Sequence, residues 1–178
     1  MRSGFIAGKP VPTMKPLGMD IESPHGEALR KGRHSQPGGI YLLTSVTKAR
    51  KPHFGNWQLG RLLVAEFRQA HEAGLCESLA FVVMPDHFHW LITLKDGSLA
   101  ALMGRVRSRS AIAVNRANGT GGQLWQRGYH DHALRKEEDL HAVARYVVAN
   151  PLRAGLVARL GDYPLWDAIF LQEQARLR

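Results

Sequence analysis

The sequence is poor in cysteine, with Cys76 alone among 178 residues. It can close no internal disulfide and has no cysteine partner for a zinc site, which points to a reducing compartment. No stretch approaches the roughly 20 apolar residues of a membrane-crossing helix. After Arg2 no apolar run develops before Lys9 and Pro10, so the N-terminus does not read as a secretory signal. Acidic residues are also scarce: 15 Asp and Glu face 24 Lys and Arg, a net charge of +9. Such an excess draws polyanions by releasing counterions from phosphates, although total charge alone does not separate a nucleic-acid binder from a generally basic protein. The glycines at 119–122 lack the Lys-Ser/Thr of a nucleotide-hydrolysing phosphate loop, and no Gly-x-Ser-x-Gly element is present.

What is present reads as one domain at 37–178 behind a basic arm at 1–36. The arm holds Pro10, Pro12, Pro16 and Pro24 and no periodicity that lasts a helix. Beyond Gly38 and Gly39, residues 40–47 (IYLLTSVT) read as a strand. Asn56 caps a helix running to about Ala73, with Gly74 as its stop. Two apolar runs, 79–84 (LAFVVM) and 87–94 (HFHWLITL), flank Pro85-Asp86 and read as an antiparallel β-hairpin. Ser98 caps a second helix over 99–117, the stretch 118–123 is a loop, and 124–134 reads as a strand. A third helix starts within 137–139 and ends at about Ala149, because Pro151 disfavours helical geometry at Asn150. The remainder reads as an irregular return with a short helix near 167–176. The order β-α-β-β-α-β-α predicts an α+β fold of the ferredoxin-like kind, an antiparallel sheet with helices packed on it.

Three groups of residues carry chemistry. Side chains alternate along a strand, so Phe88, Trp90, Ile92 and Leu94 form an apolar face and His87 and His89 share the other. Two imidazoles aimed one way suit a metal ion, but an isolated pair is more often two partly exposed histidines beside a turn that bind nothing. On the third helix Tyr146 and Asn150 are one turn apart, at the edge of a stripe of Leu140, Val143 and Val147. Packing alone explains such a tyrosine, and backbone capping alone explains such an asparagine. On the second helix Arg105, Arg109 and Arg116 lie within about 40° of one another at ~100° per residue, beside a stripe of Leu102, Val106, Ala113 and Ala117. Guanidinium forks match phosphate oxygens, and the span 98–135 holds six arginines, Arg127 among them, against the single acid Asp131. A second His-x-His, His130 and His132, brackets that acid and ranks below the first pair.

Four segments together resemble a known family. Residues 83–91 (VMPDHFHWL) resemble the His-hydrophobic-His segment of the single-tyrosine HUH transposases, and 145–156 (RYVVANPLRAGL) resemble their tyrosine helix. Residues 124–131 (LWQRGYHD) resemble the strand between the two, and 38–41 (GGIY) the first strand. The branch most similar is that of the REP-associated tyrosine transposases, over about 38–166. The resemblance implies a divalent ion, Mg²⁺ or Mn²⁺, and cleavage of single-stranded DNA beside a hairpin, in the cytoplasm and associated with the nucleoid. It implies that His87 and His89 are metal ligands and Tyr146 the nucleophile. Asn150 takes the place where relatives carry a polar residue, often glutamine, that completes the ligand set, although it is shorter by one methylene. Arg105, Arg109, Arg116 and Arg127 are the expected DNA-backbone contacts, and the chain is expected to act as a monomer or a homodimer. Two other readings fit the same residues: a domesticated DNA- or RNA-binding protein without catalysis, and a metal phosphoesterase that uses water in place of tyrosine.

Overall fold

The computed structural model describes residues 35–135 and 139–169. Most of the 1–36 arm and part of the expected start of the third helix therefore lie outside the described residues. Five strands, β1 (Ile40–Val46), β2 (Cys76–Met84), β3 (His87–Leu94), β4 (His130–Ala133) and β5 (Trp166–Ala168), form one antiparallel sheet in the order β4-β1-β3-β2-β5. The first four carry the ferredoxin-like arrangement that the sequence predicts, and β5 extends it at the β2 edge.

Helices α1 (Trp57–Glu72) and α2 (Leu99–Asn118) cover one face of the sheet. Asn56 caps α1 by accepting from the Gln58 amide, and Ser98 caps α2 by accepting from the Ala101 amide. Gly119 ends α2 at φ 62°, ψ 27°, the left-handed turn that a residue without Cβ adopts at no steric cost. The core between them is aromatic at its centre: Phe67 stacks on Trp90 at 4.3 Å and meets Phe88 edge-on at 5.1 Å. The other face is covered by α3 (Leu140–Val148), whose Ala144, Val147 and Val148 pack on Leu42, Ala80, Val82 and Leu91. Both faces of β3 are therefore buried, one by α1 and α2 and the other by α3.

Several expectations are corrected. The strand expected at 79–84 begins at Cys76, and a bulge between Ser78 and Ala80 breaks the alternation that a sequence reading follows. Strand 124–134 shrinks to β4, because Gly128 turns the chain at φ 75°; upstream, only Trp125 bridges to Thr47. The buried stripe of α2 runs through Leu102, Val106, Ser110 and Val114, leaving Ala117 exposed. Ser110 is tolerated inside because its hydroxyl accepts from the Trp125 indole at 3.1 Å. Asn150 is helical after all. The chain pauses at Ala149 and resumes as α4 (Asn150–Arg153), with Pro151 in its first turn, where a proline is tolerated. Finally, Asp167 and Ala168, expected in a helix, pair with β2 as part of β5; the rest of that expected helix, from 170, lies outside the described residues.

Candidate functional site

The register of the sheet builds the site. His87 and His89 open β3 on the face toward α3, with ring centroids 5.0 Å apart and planes at 79°. With metal–nitrogen bonds of about 2.1 Å, two imidazoles sharing one ion hold their centroids roughly 4.6–5.3 Å apart. The observed spacing fits that range. His89 lies opposite Thr44 of β1, and its Nδ1 is 2.8 Å from the Thr44 hydroxyl. His87 Nδ1 is 2.6 Å from Asp86 Oδ1. A carboxylate only accepts, so the His87 Nδ1 carries a proton, and in the neutral ring Nε2 is the nitrogen with a lone pair. The Thr44 hydroxyl can likewise accept from His89. Both rings thus have Nδ1 engaged, which leaves Nε2 as the nitrogen of each that could ligate.

His89 is buried, and its pKa is pushed down to about 3 by that burial, by the adjoining His87 and by the positive charge of Arg153. The ring is neutral at neutral pH, as a metal ligand must be. For Asp86, burial pushes the pKa up. The hydrogen bond and charge of His87, with those of Arg50, outweigh it and hold the carboxyl below its ordinary range. Among the described residues no group of three or more His, Cys, Asp or Glu is arranged to hold a metal. Any metal held here would take two imidazoles from this pair and its remaining ligands from an amide oxygen, water or phosphate oxygens.

Tyr146 is half-buried on α3, which packs against β2 and β3 on the histidine face. Asn150 donates its side-chain amide to the carbonyls of Val147 at 2.8 Å and Tyr146 at 3.3 Å. Pro151 cannot donate to Val147, so the asparagine side chain satisfies a carbonyl that the helix break leaves open. With its nitrogen so used, Asn150 keeps its Oδ1 as an acceptor. Arg153 lies over the Tyr146 ring at 3.9 Å from the centroid and donates to the Tyr146 carbonyl at 2.8 Å.

The arginines are placed apart from this face. Arg105, Arg109 and Arg116 are exposed on α2, across the sheet from the histidines. Arg109 is engaged with α1, donating to Glu66 Oε2 at 2.7 Å and to Gln69 Oε1 at 2.7 Å. Arg127 is exposed in the loop that leads into β4. His130 and His132 lie opposite Thr44 and Leu42, so their side chains share the sheet face of His89. Thr44, Asp86 and Arg153 are site residues that the sequence reading passes over. Asp86 and Arg153 stand inside the two quoted motifs, and a carboxylate next to the first histidine is a visible signal. Thr44 has none, because only the register brings it to His89.

A family model described as transposase, IS200-like, matches residues 36–150 of this chain. A REP-associated tyrosine transposase of Escherichia coli strain K12 is 28% identical over 134 residues, covering 74% of this chain and 78% of its own. A protein of Haemophilus influenzae is 25% identical over 138 residues, covering 71% of this chain and 78% of its own. Among solved structures, a REP-associated tyrosine transposase bound to a REP hairpin superposes with a TM-score of 0.64 at 23% identity, covering 81% of this chain and 84% of that one. That likeness bears on the fold.

Proposed function

The chain belongs to the IS200-like transposase family, and from that premise we propose that it is a metal-dependent single-strand DNA endonuclease and strand transferase. It acts beside hairpin DNA through Tyr146, with His87 and His89 as metal ligands and Asn150 Oδ1 as a further donor. One observation carries this reading: both histidines have Nδ1 engaged and Nε2 left over, on the sheet face that receives the tyrosine-bearing helix. The fold likeness to a hairpin-bound transposase supports hairpin DNA as partner. No helix among the described residues is long and apolar enough to cross a membrane.

A divalent ion, Mg²⁺ or Mn²⁺, would polarise the scissile phosphate and stabilise charge on the leaving oxygen. The chain's own residues align and hold. Tyr146 Oη gives up its proton and attacks phosphorus as the P–O3′ bond breaks, giving a 5′-phosphotyrosine and a 3′ oxygen that takes up a proton in turn, so that no net proton is consumed. The diester is exchanged and not lost, so rejoining needs no nucleotide cofactor. Arg153, which lies over the tyrosine ring and whose charge is felt at His89, would meet a non-bridging phosphate oxygen. Arg127 would hold the flanking strand, while Arg105, Arg109 and Arg116 on the far face would meet DNA that passes the sheet edge.

The test is incubation with Mn²⁺ and a single-stranded hairpin oligonucleotide. A covalent protein–DNA adduct is expected, absent in Tyr146→Phe while hairpin binding persists. Cleavage that survives Tyr146→Phe but fails in His87→Ala would replace the tyrosine with water as nucleophile. Equal hairpin affinity with no cleavage under any divalent ion would make the chain a binding protein only.

A further inference from the structure

The turn that presents His87 is built against its own preference. Two-residue β-hairpin connections favour turns with positive φ, whose twist matches that of the strands. Pro85 cannot adopt positive φ, and Asp86 does not. The turn is instead held from outside, by the segment that follows β1. The Thr47 amide donates to the Asp86 carbonyl at 2.8 Å, and the Thr47 hydroxyl reaches that same carbonyl at 3.0 Å and the Lys51 carbonyl at 2.8 Å. The Phe54 amide donates to the Pro85 carbonyl at 2.9 Å. Within this segment Ala49 and Arg50 are both left-handed, at φ 54° and 51°. Among the described residues they are the only non-glycine residues with positive φ, and two in succession are unfavourable unless the surroundings impose them. What the strained pair achieves is to bring the Arg50 guanidinium to Asp86 Oδ2 at 3.2 Å, while Asp86 Oδ1 takes the His87 ring at 2.6 Å.

We propose that Arg50 and Asp86 are positioning residues that fix the tautomer and aim of His87, so that its Nε2 is presented as a ligand. The value of that ligand to a metal rests on the function proposed above; the tautomer does not. A carboxylate on one ring nitrogen pins the proton there and makes the other nitrogen a better donor. Arg50 takes the second carboxylate oxygen at 3.2 Å and restrains Asp86 from swinging to solvent. A merely structural Asp86 would serve the turn through its backbone, which Thr47 already holds, and would need neither of its side-chain contacts.

The experiment pairs two readouts on the full chain. Nitrogen-15 NMR of the metal-free protein reports the His87 tautomer, and the free-Mn²⁺ signal in electron paramagnetic resonance reports affinity. Wild type is expected to show the Nδ1–H form. Asp86→Asn should redistribute the tautomers and weaken Mn²⁺ binding by about 10–100-fold. Arg50→Gln should do the same to a smaller degree, and Asp86→Glu should recover part of the loss. A His87 tautomer unchanged in both Asp86→Asn and Arg50→Gln overturns the proposal. If Asp86→Asn does not fold, Arg50→Gln, which leaves the carboxylate in place, decides the matter on the same criterion. A wild-type chain that binds no Mn²⁺ yet shows the Nδ1–H form, lost in the variants, sinks the metal reading and leaves the positioning intact.

Discussion

The guanidinium of Arg153 lies 3.9 Å from the centroid of the Tyr146 ring and reaches back to that residue's own carbonyl. One contact restrains the ring and the other ties the arginine to the end of α3. The pairing spans the break at Ala149, which explains why α3 and α4 must keep a fixed relation if the tyrosine is to act. Arg153→Ala should therefore slow adduct formation by about 10²-fold at saturating hairpin, the scale on which one preorganised donor to a transition-state oxyanion acts. Hairpin affinity should change far less. Arg153→Lys keeps the charge and loses the flat fork, and should fall between the two. Single-turnover kinetics decide it: an Arg153→Ala rate equal to wild type removes the arginine from the reaction.

The histidine face also makes acid stability a readable quantity. His89 titrates near 6.5 when unfolded and at about 3 when folded. Between those values the unfolded chain binds a proton that the folded chain refuses, so stability falls as pH drops through that window. Asp86, held below its ordinary value, acts in the same direction at lower pH: its contribution is present above the unfolded pKa and lost as pH falls through the folded one. For His89 the loss should amount to a few kcal/mol, because each tenfold difference in proton affinity between the folded and unfolded chain is worth about 1.4 kcal/mol. Urea midpoints measured in chelator from pH 7 to pH 4 should drop steeply in wild type and more gently in His89→Asn. Parallel slopes in the two proteins would mean that His89 is not the group responsible.

How much of this is legible in the sequence depends on the range of the contacts involved. The alternation in 87–94 places both histidines on one face and Phe88, Trp90, Ile92 and Leu94 in the core, because a strand's period is set locally. The caps Asn56 and Ser98 are readable for the same reason. Thr44 is not, since its contact with His89 exists only through the pairing of β1 with β3. β5 escapes a sequence reading because the three residues of Trp166–Ala168 carry no period of their own; their strand geometry comes from the open edge of β2. The stripe on α2 slides from Ala117 to Val114 because Ser110, polar by type, is buried by its bond to Trp125. The conformation of Asn150 is misread when Pro151 is weighed as a helix breaker, whereas the proline begins a new turn.

The arginine row on α2 divides into two kinds of residue that look alike in sequence. Arg109 crosses to α1 and meets Glu66, a carboxylate almost wholly out of water. Removing the arginine leaves that carboxylate buried without its partner, so Arg109→Ala should cost about 1–2 kcal/mol of stability, discounted because the arginine itself is half exposed. Arg105 and Arg116 are exposed on the same side of the helix, so Arg105→Ala and Arg116→Ala should leave the melting temperature in place. If they do touch DNA, each removal should lower the slope of log affinity against log salt by roughly 0.7 for a single-stranded contact. Because the row lies across the sheet from Tyr146, none of the three should alter the single-turnover rate once the hairpin is saturating. Salt titrations and melting curves on the three variants separate the alternatives. An Arg109→Ala protein as stable as wild type would deny the link to Glu66 any weight in the fold. Unchanged salt slopes in Arg105→Ala and Arg116→Ala would leave binding to other charges, with Arg127 in the loop before β4 and Arg153 beside Tyr146 the next to replace.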